Sequence, residues 1–187
     1  VLGDRIADIR SRGERVRIEK GGRVLEMSLA GRNGISSSGL YHLPGSSGNL
    51  PTGEADIAPL EGTAEGSIVI DGSLAGLGVV SGPLEVRIEK GLAVGFSGPD
   101  AGWLEAKLPS PEARNVGELG IGTNEKARLI GNLLEDEKVY GTIHVAFGTN
   151  ATFGGTVSAG VHIDGIVLGA TLTVDGRVVV AGGKVVA

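Results

Sequence analysis

Short stretches in which apolar and polar residues alternate, each closed by a glycine-containing turn, constrain this chain more than any other feature. Val16 and Ile18 alternate with Arg17 and Glu19, and Lys20-Gly21-Gly22 then turns into Val24-Leu25-Glu26-Met27. The same Val-Arg-Ile-Glu-Lys-Gly string returns at 86–91 and runs into Leu92-Ala93-Val94-Gly95-Phe96. Asp71-Gly72 follows Ser67–Ile70, and Asp175-Gly176 divides 170–174 from 177–180. A period of two places successive side chains on opposite faces of a strand, and a Gly pair or Asp-Gly pair supplies the positive φ that tight hairpins need. Glycine accounts for 34 of the 187 residues, well above the usual share of about 7 %. The pattern predicts a mainly β (α+β) fold, a hairpin-rich barrel or curved sheet with a few short helices, forming a single domain over 1–187.

Helical signals are few. Leu2, Ile6 and Ile9 recur at helical spacing with Asp4, Arg5, Asp8 and Arg10 on the other side, and Gly13 fits a C-terminal stop. Trp103–Lys107 allows one or two turns between prolines. Ala127, Leu129, Ile130 and Leu133 predict a helix over 124–134, capped by Thr123 or Asn124. A chain that opens at Val1 inside an amphipathic segment is expected to be the remainder of something longer. The polar stretch 31–53 has the length at which loops are often functional.

Composition removes several function classes. The formal net charge is −5, without the basic footprint of a nucleic-acid or anionic-membrane binder. With Tyr41, Phe96, Trp103, Tyr140, Phe147 and Phe153 as the whole aromatic set, a stacking platform for bases is not expected. Cysteine is absent, which excludes disulfides, thiolate metal sites and cysteine nucleophiles, and fits a cytoplasmic setting.

The chemistry therefore rests on histidines and carboxylates. His162 and Asp164, two residues apart in the expected strand 161–168, share one face. His144 lies with Ala146 and Gly148 on a face of small residues, opposite Ile143, Val145 and Phe147. Two imidazoles and a carboxylate suit a borderline divalent metal; by spacing alone the commoner reading is a hydrogen-bonded His–Asp pair or side chains on a solvated sheet face. Glu54 and Glu118 each follow a glycine in a turn-like context. His42 lies in the polar stretch. Glu135-Asp136-Glu137 reads as a solvated turn neutralised by Lys138.

Asn49-Leu50-Pro51-Thr52-Gly53-Glu54, Gly117-Glu118-Leu119-Gly120-Ile121-Gly122-Thr123-Asn124, Glu135-Asp136-Glu137-Lys138 followed by His144-Val145-Ala146-Phe147-Gly148, and His162-Ile163-Asp164 occur in that order. Together they resemble the C-terminal, metal-binding half of the thermophilic aminopeptidases (aminopeptidase T and aminopeptidase S) across roughly 1–180. The resemblance implies two divalent ions, zinc or cobalt, held by Glu54, Glu118, His144, His162 and Asp164. It also implies a peptide substrate cleaved by a metal-activated water, with Glu118 or Glu54 as general base. Ala151 stands where that family places a tyrosine, and the family's N-terminal α/β domain is expected to be absent, so turnover by this chain is expected to be low. An inactive dimerisation or binding module is the alternative. The related 2,5-dihydroxypyridine dioxygenases give a further one, in which His144, His162 and Asp164 hold a single ferrous iron. Exposed apolar edge strands at Val178-Val179-Val180 and Val185-Val186 predict a homodimer.

Overall fold

The computed structural model describes residues 2–42 and 44–186, so Val1, where the chain was read as opening, lies outside the described residues. In chain order the elements are α1 (Leu2–Arg12), β1 (Arg15–Lys20), β2 (Arg23–Ser28), β3 (Ile35–Ser37), β4 (Glu54–Ile57), β5 (Glu65–Ile70), β6 (Ser73–Leu74), β7 (Gly78–Val79), β8 (Leu84–Glu89), β9 (Leu92–Ser97), α2 (Ala101–Lys107), β10 (Val116–Gly122), α3 (Leu133–Asp136), β11 (Ile143–Gly148), β12 (His162–Val167), β13 (Thr171–Val174), β14 (Arg177–Ala181) and β15 (Lys184–Val185). The strands form two antiparallel sheets, one in the order β15-β14-β13-β1-β2-β5-β8-β9 and the other β3-β4-β10-β11-β12-β6-β7. The fold is mainly β, as the alternation predicts. Of the two expected forms, a barrel or a curved sheet, the barrel is absent: among the described residues neither sheet closes on itself.

The hairpin turns behave as their residues require. Gly21-Gly22, Lys90-Gly91, Asp175-Gly176 and Gly182-Gly183 all have both central φ values positive, the geometry whose twist matches that of paired strands. Val16, Ile18, Leu25, Met27, Ile68, Ile70, Leu84, Val86 and Ile88 of the first sheet are buried in one apolar core with Ile57, Leu119, Ile121, Ile143, Val145 and Phe147 of the second. Burying each of these apolar side chains is worth about 1.5–3 kcal/mol, so this shared core anchors the second sheet from one side.

Three local expectations are corrected. Asp71-Gly72 is not a hairpin turn: β5 pairs with β2 and β8, β6 pairs with β12, and the dipeptide carries the chain from one sheet to the other. Gly72 serves close approach instead, because a Cβ there would lie 2.9 Å from Ile166. The expected helix over 124–134 is replaced by turns and the four-residue α3, capped by the Asn132 side chain, which accepts from the Leu134 amide. Its apolar set does not face a core, and Ile130 and Leu134 are exposed. Nor is β14 an edge: it lies between β13 and β15, with Val179 and Val180 buried, and the two-residue β15 is the edge at that end of the sheet. Among the described residues no helix is long and apolar enough to cross a membrane.

Candidate metal centre

Four neighbouring strands of the second sheet, β4, β10, β11 and β12, build the site by their pleat. Ala55, Ile57, Leu119, Ile121, Ile143, Val145, Phe147 and Ile163 point into the core. The alternating positions therefore project from the opposite face: Glu54 and Asp56, Glu118, His144, and His162 and Asp164. Register aligns them laterally. Glu118 pairs with Ala146 and Ala146 with Asp164, while Asp56 and His144 both pair with Gly120. Small residues at 120, 122, 146 and 148 leave the space that the larger polar side chains occupy. All five residues expected as ligands, Glu54, Glu118, His144, His162 and Asp164, are thus brought to one face.

Glu118 is the hinge of the arrangement. Its Oε2 lies 2.9 Å from His162 Nε2 and its Oε1 3.5 Å from His144 Nε2. Asp164 Oδ1 is 3.5 Å from His162 Nε2, and Glu54 and Asp56 each approach His144 Nε2 to 3.8 Å. His162 Nδ1 donates to the Thr149 carbonyl at 2.8 Å, which directs Nε2 toward the two carboxylates. Phe153 stacks on the same imidazole, with ring centroids 5.2 Å apart. Three sets of donor atoms fall within 4.8 Å of one another: Glu118, His162 and Asp164; Asp56, Glu118 and His144; and Glu54, Glu137 and His144.

The electrostatics are those of a crowded anionic pocket. Burial pushes the His144 imidazole down, but the hydrogen bond and charge of Glu118, with Glu54 and Asp164, push it up to about 10. Burial likewise works against the charged form of His162, and Asp164 and Glu118 together raise it to about 11. Burial pushes the Glu118 carboxyl up, and its two histidines overcome that and bring it to about 2. Asp56 moves well above the usual carboxylate range, through burial first and then the charges of Glu54 and Glu118.

Four participants escaped the sequence reading. Asp56 lies two residues after Glu54, and the spacing argument that united His162 with Asp164 applies to it equally. The charged run predicts a solvated turn for Glu137 and Lys138. Instead Asp136, Glu137 and Lys138 are all buried, and Lys138 Nζ pairs with Glu54 Oε1 at 2.7 Å and with Glu137. The reason is Asp136, whose carboxylate accepts from Ser73 Oγ and from the amides of Ile130 and Gly131 and pulls the turn inward. Arg10 of α1 is fully buried, and its guanidinium nitrogens have no hydrogen-bond partner among the described residues. Burial lowers it to about 10 against the charges of Asp56, Glu118 and Glu54. A helical spacing argument sees only a polar residue there. His42 is exposed and takes no part, and Ala151 is exposed in the short 3-10 turn Ala151–Phe153.

A family model described as 2,5-dihydroxypyridine 5,6-dioxygenase (NicX) matches residues 5–187. No curated protein matches the chain significantly. Among solved structures, 2,5-dihydroxypyridine dioxygenase from Pseudomonas putida KT2440 superposes with a TM-score of 0.90 at 21% identity, covering 100% of this chain and 58% of that one. AmpT from Thermus thermophilus superposes with a TM-score of 0.78 at 24% identity, covering 98% of this chain and 53% of that one. This chain spans little more than half the length of either, and at such identities each likeness speaks for the fold alone. The expectation of a peptide-hydrolysing aminopeptidase domain is corrected by the family match: what is shared with the thermophilic aminopeptidases is the fold. The matched dioxygenase family also points away from a pair of zinc or cobalt ions, although the donor set for metal binding is present.

Proposed function

The chain belongs to the 2,5-dihydroxypyridine 5,6-dioxygenase family, and on that premise we propose that its polar sheet face is the iron site of a ring-cleaving dioxygenase. The substrate class is a dihydroxylated pyridine, opened between adjacent ring carbons with both atoms of dioxygen entering the product. One observation carries the reading: Glu118, His162 and Asp164 converge within 4.8 Å, with His144 on the other oxygen of Glu118.

The residues fit a divalent cation. Five carboxylates, Glu54, Asp56, Glu118, Glu137 and Asp164, face two fixed cations, Arg10 and Lys138. In a buried site such an anionic excess calls for compensation, and without a metal the two imidazoles supply it by holding extra protons. His162, Asp164 and Glu118 would hold the ion, a mixed nitrogen and oxygen set of the kind non-haem Fe(II) takes. Ferrous iron bound there would supply open positions for the ring and for dioxygen and would relay electrons to dioxygen from the dihydroxylated ring, which is itself the reductant.

The chain's own groups do the rest. The hydrogen bond from His162 Nδ1 to Thr149 fixes the tautomer and keeps Nε2 as the ligand atom. His144, surrounded by Glu118, Glu54 and Asp56, holds a proton at Nε2 and is placed to exchange it with a ring hydroxyl. Phe153, stacked on His162, shields that side of the site from water.

The test is anaerobic loading with Fe(II), then addition of 2,5-dihydroxypyridine and measured oxygen. The expected result is consumption of one dioxygen per ring opened, with His162→Ala losing iron and His144→Ala keeping iron but losing turnover. Iron-loaded protein that consumes neither oxygen nor the dihydroxypyridine would refute the reading.

A further inference from the structure

Beside the proposed iron site lies a second convergence of donors, Glu54, Glu137 and His144, whose ligand atoms also fall within 4.8 Å of one another. His144 Nδ1 is buried and has no hydrogen-bond partner among the described residues. Taken by composition alone, two carboxylates and an imidazole on a sheet face would take a second divalent ion. What distinguishes this cluster is Lys138. Its side chain is 1% exposed, and its Nζ contacts Glu54 Oε1 at 2.7 Å and Glu137 Oε1 on the other side.

The backbone is built to deliver that ammonium. The segment after α3 lies directly on β10: a Cβ at Gly122 would be 2.0 Å from the Val139 carbonyl oxygen and 2.8 Å from the Lys138 carbonyl carbon. Only glycine permits that approach. The Lys138 carbonyl then accepts from the Asn124 amide at 2.9 Å, and the Lys138 amide donates to Glu135 at 2.9 Å. With its backbone fixed at both groups, the side chain has little freedom except toward the carboxylates.

We propose that the Lys138 ammonium permanently occupies the second cation position of this face, so that the protein carries one divalent ion on a scaffold with donors for two. An ammonium satisfies carboxylate oxygens through N–H donors and supplies one positive charge, but it has no open coordination position and cannot activate a water. Lys138 thereby commits the face to mononuclear chemistry and leaves His144 as a proton-handling group. The inference rests on the single-iron reading given above.

Metal stoichiometry separates the two. Metal-stripped protein is titrated with Mn(II), desalted and analysed for bound metal, with far-UV circular dichroism recorded alongside. Wild type and Lys138→Arg should bind one equivalent, Lys138→Met should bind two, and Lys138→Met combined with Glu137→Gln should return to one. A folded Lys138→Met protein that binds one equivalent overturns the inference and leaves the single-iron reading standing. Wild type that binds two equivalents overturns both. Should Lys138→Met fail to fold without metal, the ion is expected to take the place of the lost charge, so Mn(II) added during refolding should restore the native spectrum. Failure of that rescue also overturns the inference.

Discussion

Gly120 and His144 face each other across β10 and β11, and the imidazole lies so close over the bare Cα that an added Cβ would sit 1.8 Å from Nε2. The glycine is therefore part of the site: it provides the volume into which His144 turns toward Glu118. Gly120→Ala should force the ring from its place. We expect a stability loss of about 1–3 kcal/mol from overpacking. On the proposed reading, ring-opening activity should fall by about 10²-fold, the scale of a lost general acid–base group, while iron should still be held through His162, Asp164 and Glu118. Urea denaturation and metal analysis of the same preparation check both parts.

Asp136 holds the inward turn that brings Glu137 and Lys138 to the face. Its carboxylate is fully buried and accepts from Ser73 Oγ at 2.7 Å, the Ile130 amide at 2.7 Å and the Gly131 amide at 3.0 Å. Asp136→Ala strands three donors, and buried polar groups left without partners cost about 1–3 kcal/mol each. With partial relaxation we expect a total near 3 kcal/mol. Lys138 should also become accessible, which amine labelling under native conditions reports.

A control separates stability from the site. Asp175 adopts a φ of 48° in the β13–β14 turn, and its Oδ1 accepts from the Arg15 amide at 2.9 Å while Oδ2 accepts from the Glu14 amide at 3.1 Å. The bonds tie the turn to the start of β1, in the sheet that does not carry the candidate metal centre. Asp175→Ala loses both bonds and meets backbone strain, so it should cost about 1–2 kcal/mol. Asp175→Gly keeps the turn geometry and should recover part of that. Metal affinity should stay within twofold in either variant.

The strands were legible because the core is one-sided. Leu84, Val86 and Ile88 alternate with Glu85, Arg87 and Glu89, and that alternation survives in the buried and exposed faces of β8. The same rule located His144, His162 and Asp164, since a period of two also fixes which polar residues share a face. It could not show which strands would be neighbours. The placement of β4 beside β10, which brings in Glu54 and Asp56, depends on long-range pairing between strands that the chain separates by β5 to β9 and α2. Asp136, Glu137 and Lys138 were hidden for a different reason: a charged tripeptide reads as solvated unless the buried partners are known, and Ser73 is 63 residues away. Asp71-Gly72 carried a turn signal, but its glycine was needed against Ile166 rather than for a positive φ.

Glu61 tethers the loop that seats Phe153 against His162, and its titration should show in that loop. Its Oε1 accepts from Asn150 Nδ2 and from the Thr156 amide, both at 2.8 Å, and its other oxygen pairs with Arg32. Burial pushes the carboxyl up, but hydrogen bonds from its own amide, Asn150 and Thr156, with the Arg32 charge, outweigh this and leave it below the ordinary value of 4.5. A carboxyl whose folded pKa is depressed contributes stability that is present above the unfolded pKa and is lost as pH falls through the folded one. The loop should therefore hold its structure from neutral pH down to about pH 4.5 and loosen below it. Amide exchange at Phe153, Gly155 and Thr156 reports the change. Glu61→Gln cannot titrate, so its loop should exchange faster than wild type at neutral pH and show no additional acid step. Wild-type exchange at these amides that stays at its neutral-pH protection well below the folded pKa of Glu61 would show that the tether does not depend on the carboxylate.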